Sequence, residues 1–389
     1  MKKLVIASVL SAAALSANAA PLVTIGDQLD LFFRGAVIGK WDSNITYADA
    51  ANNKIDDYSA TFRLGAEADY GRNSKFKANV KFYEDITRYA QQKQFNSNLS
   101  RVYVNASYVE SSLMLEGDFS FEQRFQNSST TINANEIGAL VRHNYFTAGV
   151  KATYDFTEKL YGELGGRWQN VDYLGNWSTM YSSYDIYSIP VSLLYRITPK
   201  ISVGLSYQYR YTEFNGGTWY DAYVRGSNRD DHFAGINVRG EILPKLSMSV
   251  YLGGSYRGAS GIYDSDASFA ANATMSYAAT EKVTVYLTGK RDFGNGASRE
   301  SSIDSSAELG VNYKFSSYLS ATAAFSYLNS NYQQSDRDDN NYMGRIGLNY
   351  VPNKFIMASA NYRYGTNSSN VANATYNQHI VELSVAVKY

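Results

Sequence analysis

Eight times between Tyr70 and Phe355 the chain closes an alternating strand, makes a short polar turn and starts another alternating strand. The turns begin at Tyr70, Tyr108, Tyr154, Tyr195, Gly240, Tyr277, Tyr313 and Tyr350, so they recur every 36 to 46 residues. That period fits two membrane-crossing strands of about 9–11 residues, one tight turn and one longer loop. Eight turns join sixteen strands. A first strand near Gln28–Trp41 and a last one ending at Tyr389 bring the expectation to about eighteen, with sixteen as the alternative. Both chain ends then lie on one side.

The faces agree with this reading. In a strand successive side chains point to opposite sides. Ile201, Val203, Leu205, Tyr207, Tyr209 and Tyr211 share one face, opposite Ser202, Gly204, Ser206, Gln208 and Arg210. Leu246, Met248, Val250 and Leu252 form a second apolar row, and Leu309, Val311 and Tyr313 a third. A soluble β-sandwich would need a second layer over each row and closer strand spacing. The pattern therefore predicts an all-β chain folded as a transmembrane, antiparallel, up-and-down β-barrel. No linker marks a second domain and no plug domain precedes the first strand, so residues 20–389 read as one barrel.

Composition removes most alternatives. Past Ala19 no uninterrupted apolar stretch is long enough for a spanning helix, and a mean hydropathy of −0.35 suits a barrel with one lipid-facing residue in two. The chain has 35 Tyr, 5 Pro and no Cys. Tyr serves strands and membrane interfaces alike, and the lack of Cys excludes disulfides and thiolate metal sites. With 36 basic and 36 acidic residues there is no basic excess for nucleic acid.

The two ends point to export. Met1-Lys2-Lys3, the apolar run Leu4–Leu15 and Ala17-Asn18-Ala19 read as a signal peptide over residues 1–19, cleaved so that the mature chain begins at Ala20. The last residues alternate, with Val381, Leu383, Val385, Val387 and Tyr389 on one face. An aromatic residue ending such a strand resembles the closing strand of bacterial outer-membrane barrels. That resemblance implies that Val385, Val387 and Tyr389 form an assembly signal, read by the barrel-assembly machinery after delivery by periplasmic chaperones.

Trp41-Asp42-Ser43-Asn44-Ile45, then Asp56-Asp57 and an alternating strand ending at Gly71, resembles the opening hairpin of the type 2 β-barrel porins of Gram-negative envelopes. The Tyr-x-x-Ser/Thr-x-Lys turns are similar to that family's body. Membership implies a barrel in the bacterial cell outer membrane, embedded in its lipid, and a pore. It brings no catalytic residues.

Constellations for other chemistry are weak. His143, His232 and His379 are isolated, with no His or Cys at ligand spacing, and read as structural or lumen-facing. Asp336-Arg337-Asp338-Asp339-Asn340 faintly resembles a calcium loop but lacks the Gly at position six and the acid at position twelve. Neither an enzyme nor a cofactor is expected. Trp177, Tyr181, Tyr184, Trp219, Tyr220 and Tyr223 read as girdle or loop anchors, with sugar stacking as the alternative. The long connection Gln126–Arg142 reads as a strand rising above the membrane, the alternative being a loop folded into the lumen.

The remaining signal is on the face opposite the apolar rows. It carries Arg34, Arg63, Lys75, Lys77, Lys81, Arg167, Arg210, Arg239, Arg257, Arg345 and Arg363, together with Asp30, Lys40, Glu67, Asp69, Glu163, Glu308, Lys314 and Glu382. An Arg or Lys facing lipid at the bilayer midplane costs about 2–4 kcal/mol, so these side chains are expected inside. Eighteen strands enclose more space than side chains fill. A water-filled channel for passive diffusion of small hydrophilic solutes is expected. A non-conducting display barrel and a polysaccharide export conduit are the alternatives, and the oligomeric state stays open. By adjacency, Arg34, Arg63, Lys75, Lys77 and Lys81 are expected to line one positive wall, with the upper part at Arg63 and Lys81 least compensated.

Overall fold

The structure, a computed structural model, describes residues 21–49, 54–125, 140–215, 228–258, 264–295, 300–371 and 374–389. A short strand β1 (Val23–Ile25) precedes β2 (Leu29–Asp42), β3 (Asp57–Tyr70), β4 (Phe76–Tyr89), β5 (Ser97–Glu110), β6 (Leu113–Phe125) and β7 (Arg142–Asp155). Next come β8 (Leu160–Tyr173), β9 (Ser183–Thr198), β10 (Ile201–Asn215), β11 (Arg229–Leu243), β12 (Leu246–Arg257) and β13 (Asp266–Ala278). The set ends with β14 (Val283–Asn295), β15 (Ser301–Lys314), β16 (Leu319–Tyr332), β17 (Asp338–Tyr350), β18 (Ile356–Ser369) and β19 (Tyr376–Lys388). A short α-helix, α1 (Trp177–Met180), follows β8, and a single 3-10 turn, Lys93–Phe95, follows β4.

From β2 to β19 each strand pairs antiparallel with its neighbour in sequence, and β19 pairs with β2. The sheet closes into a barrel of eighteen long strands, as the repeat predicts. At the seam Val385 stands opposite Val37 and Lys388 opposite Arg34. The last residue joins too: Tyr389 N donates to Phe33 O at 3.0 Å and Phe33 N to Tyr389 O at 2.6 Å.

The turns explain why the chain reverses where it does. In several, a side-chain oxygen ahead of the new strand accepts that strand's first backbone N–H. Thr157 does this for Leu160 at 2.9 Å, Thr198 for Ile201 at 3.1 Å, Thr280 for Val283 at 3.0 Å and Asn353 for Ile356 at 3.0 Å. Such local bonds compete with the sheet ladder and favour a turn. Gly71 opens the β3–β4 turn at φ +91°, where a Cβ would meet Phe76 O at 2.0 Å.

The outer surface is an apolar belt. Phe62, Leu64, Val150, Leu205, Ile346 and Leu383 are all exposed, and alternation puts their neighbours on the inner side. No helix is long and apolar enough to cross a membrane among the described residues. His232 lies on the outer face among Tyr207, Tyr209 and Tyr256, and accepts or donates a 2.8 Å bond with the Tyr207 hydroxyl. His379 sits likewise on Tyr362 and Tyr364. Both belong to an interfacial aromatic belt, and neither faces the lumen. His143 alone points inward, against Tyr173.

Candidate channel lining

Contacts between strands that are not neighbours identify the inner face, because side chains converge on the concave side of a curved sheet and diverge on the convex side. Arg210 on β10 reaches Asp292 on β14 at 2.9 Å. Arg239 on β11 reaches Glu163 on β8 at 2.8 Å, and Lys388 on β19 reaches Glu67 on β3 at 3.0 Å. The face opposite the apolar belt is therefore the lumen side.

Charges there are gathered around a few acids. Glu67 receives Arg34 and Lys388 as direct bonds and has Lys81 at 3.9 Å, so three cations share one carboxylate. Asp85, two turns of the pleat above Lys81, receives Arg63 at 2.6 Å and Arg101 at 3.2 Å. Across the barrel, Asp231 is fully buried between Arg210 at 2.7 Å and Arg257 at 2.6 Å. Asp292 takes Arg210 and Lys290, each at 2.9 Å. The guanidinium of Arg210 lies 4.7 Å from the Phe233 ring and that of Arg257 4.6 Å from the Phe293 ring. These rings fix the planar groups in place.

A fourth group spans β14 to β17. Arg345 donates to Glu308 at 2.6 Å and to the Tyr286 hydroxyl at 3.0 Å. Tyr286 fits because Gly310 leaves the room: a Cβ there would lie 2.1 Å from the ring. Arg363 stands opposite Arg345 on the neighbouring strand and is exposed.

The interior is not filled. Inward side chains keep large fractions of their surface: 47% for Lys151, 50% for Arg167, 43% for its partner Asp118 and 57% for Lys290. Exposure of that size inside a closed barrel requires open space. Near the turn end a recess is lined by Asp30, Asp69, Lys77, Asn105, Glu116 and Asp118.

At the opposite end the connections fold inward. Ile45, Tyr89 and Phe95 pack with Ile55 and Leu140. Val141, Val171, Tyr173, Tyr181, Tyr184 and Phe214 form a second buried cluster, with Trp177 against it. Trp177, Tyr181 and Tyr184 are thus loop anchors. Trp219, Tyr220 and Tyr223 lie outside the described residues, as do residues 126–139 of the long connection.

Arg34, Arg63, Lys77, Lys81, Arg167, Arg210, Arg239, Arg257, Arg345 and Arg363 all stand at inner positions of their strands. Lys75 does not. It belongs to the turn before β4 and pairs with Glu110 at 2.6 Å, and that bond raises its pKa above the ordinary value. The wall of β2–β4 is also more compensated at Arg63 than its neighbours in sequence suggest, because Asp85 holds that guanidinium through two bonds. Asp85, Arg101, Asp118, Asp231, Asp292 and Lys388 went unread as lining residues. Alternation alone would have found them: Asp85 shares its face with Lys77 and Lys81, and Asp231 with Arg239.

In the stretch Asp336–Asn340 the acids Asp338 and Asp339 are engaged by neighbouring side chains. Asp339 pairs with Arg337 at 2.9 Å, while Asp338 accepts the amides of Asn329 and Asn340. No cluster of three or more metal-ligating side chains occurs among the described residues.

Solved structures with similar folds include OpdK of Pseudomonas aeruginosa, determined with vanillate, at 11% identity and a TM-score of 0.49, covering 92% of this chain and 99% of that one. OccAB4 of Acinetobacter baumannii matches at 11% identity and 0.47, covering 93% and 99%. A BenF-like porin of Pseudomonas fluorescens Pf-5 matches at 10% and 0.49, covering 93% and 98%. No curated protein matches the sequence. The profile of one family, described as "Putative beta-barrel porin 2", matches residues 257–389, which hold β13 to β19 and not the Trp41–Ile45 stretch. The likeness to that family is thus confined to the last third of the chain, and the closed sheet of eighteen long antiparallel strands has the architecture of a transmembrane β-barrel.

Proposed function

We propose that the barrel is a porin: a water-filled channel that lets small hydrophilic solutes diffuse passively, with a weak preference for anions. The observation that carries this reading is the unequal sharing of acids on the inner wall. Glu67 serves three cations and Asp85 two, so the band of Arg34, Arg63, Lys81, Arg101 and Lys388 around these two acids keeps positive charge after pairing, although the wall of β2 to β5 and β19 as a whole also holds Asp30, Asp42, Asp57, Asp69 and Glu382. In a confined aqueous channel such an excess focuses potential and enriches the opposite ion. The recess near the turn end holds four acids, Asp30, Asp69, Glu116 and Asp118, against Lys77 and Arg72, and Lys151 and Arg167 pair with Glu116 and Asp118, so it adds little net field.

The half-exposed Lys151, Arg167 and Lys290 support a conducting interior over a display barrel with a packed core. The test is planar-bilayer conductance of the purified protein, with reversal potential in a salt gradient. Steps that scale with bulk conductivity and a reversal potential of anion sign support the channel. Absence of conductance from folded protein refutes it.

Export fits the same reading. A signal peptide over residues 1–19 and recognition of Val385, Val387 and Tyr389 by the assembly machinery would deliver the chain to this place. Val385 and Tyr389 are exposed on the outer side of the closing strand. An amino-terminal sequence starting at Ala20 in outer-membrane fractions is the expected result.

A further inference from the structure

We infer that the outer wall of β4 to β7 carries a binding site for the phosphate of an outer-leaflet glycolipid, formed by Arg88 and Arg142. Both side chains point out of the barrel. Arg88 shares its face with the exposed Phe76, Val80 and Phe82, while its neighbour Tyr89 is buried on the inner side. Arg142 shares its face with Phe146, which packs on Phe121 at 4.8 Å and on Trp168 at 6.1 Å.

Their height is the second observation. Arg88 lies twelve residues along β4 from the outward Phe76 (76 to 88), and Arg142 twelve along β7 from the outward Tyr154 (154 to 142). At ~3.3 Å per residue and the usual tilt, twelve residues rise roughly 30 Å, just beyond an apolar band about 25 Å tall. That is the level of lipid phosphates and not of acyl chains.

The two guanidinium groups are held together without being neutralised. Arg88 Nη1 donates to Asn98 Oδ1 at 3.0 Å and Arg142 Nη2 to the Asn98 carbonyl at 2.9 Å. Their other bonds go to Thr87 O, Ser97 O and Gln123 Oε1. All these acceptors are neutral, and Arg142 Nε is buried with no acceptor among the described residues. Glu84, the acid on this face, is bound to Ser100. On β9 and β11 the outer rim carries acids instead: Asp185 accepts from Trp168, Asn170 and Asn215, and Asp230 from Tyr209. An anionic headgroup is therefore favoured beside Arg88 and Arg142 over the rim at Asp185 and Asp230, and Arg forks match phosphate geometry.

The test uses the full-length mature barrel in detergent. It is offered bis-phosphorylated lipid A, or the same glycolipid after both phosphates are removed, and native mass spectrometry measures retained lipid. The wild type is expected to hold the phosphorylated form at least about tenfold more tightly, the order that two basic groups near an anionic surface supply. Arg88→Gln with Arg142→Gln, checked for the compact SDS-resistant form and unchanged conductance, should lose that preference. Equal retention of both glycolipids by the wild type, which needs no variant, overturns the site. So does an undiminished preference in the folded double variant.

Discussion

Gln378 Nε2 donates to Asp42 Oδ1 at 2.9 Å, joining residues 336 positions apart at the top of the barrel seam. The same amide donates to Asn44 O, and the fully buried Asn44 donates to Asn377 O and to Ala48 O. The stretch that resembled a porin's opening hairpin is thus a clasp between the first and last long strands. Asn44→Ala removes these donors and leaves buried carbonyls unsatisfied, at about 1–3 kcal/mol for such a group. The temperature at which the folded band converts to the unfolded one in SDS should fall. An unchanged conversion temperature would mean that the clasp adds no stability.

Selectivity should follow the shared acids. Arg63→Glu with Lys81→Glu adds negative charge beside Asp85 and Glu67 and removes a cation from each. The reversal potential in a salt gradient is expected to move from anion toward cation preference, and the difference to shrink in high salt as the charges are screened. Identical reversal potentials for both proteins would show that this wall does not set the sign.

Asp231 is the keystone of the opposite wall. Asp231→Asn leaves Arg210 and Arg257 buried with one carboxylate fewer. Breaking a buried pair from one side typically costs 3–5 kcal/mol, about that much here. A clearly lower unfolding temperature is expected, whereas the exposed pair Arg167–Asp118 should tolerate Asp118→Asn with little change.

Gly310→Ala tests the seat of Tyr286. The new methyl would overlap the ring at 2.1 Å and push it toward the lumen, loosening Arg345 from its hydroxyl. Single-channel conductance should drop, and adding Tyr286→Ala should restore it. A drop that persists in the double variant would place the cause elsewhere.

Removing Val387–Tyr389, or Tyr389→Asp, deletes or charges the outer end of the closing strand, where Tyr389 pairs with Phe33 and its ring lies 5.7 Å from Phe355. Insertion should fail, read as loss of the heat-modifiable form from the outer membrane. Normal surface assembly would show that another segment carries the signal.

Strand number and sidedness were legible because both depend on short-range patterns: the turn chemistry at Thr157, Thr198 and Thr280 and the alternation around Leu205 and Leu309. Partnership was not. Arg63 meets Asp85 across a strand pair and Arg210 meets Asp292 four strands away, and such distances depend on register and curvature. Lys75 was misplaced by the same limit, since parity fixes a face but not a height. The inward folding of Ile45 and Tyr181 likewise depends on loop packing that no periodicity records.

The seam has a consequence for the order of events. Every other pairing in the barrel joins strands adjacent in the chain, so those hairpins are able to form as their second strand arrives. Only β2 with β19 must wait for the whole chain. Closing a loop of this length instead of a short hairpin turn costs roughly 3–4 kcal/mol more in chain entropy. The barrel therefore holds two bare strand edges until the last residues are in place, and such edges invite pairing with foreign chains. Asp42, Asn44 and Gln378 lie where that interval ends. A weakened clasp would show itself first as aggregation during biogenesis, before any change in the conductance of barrels that had closed.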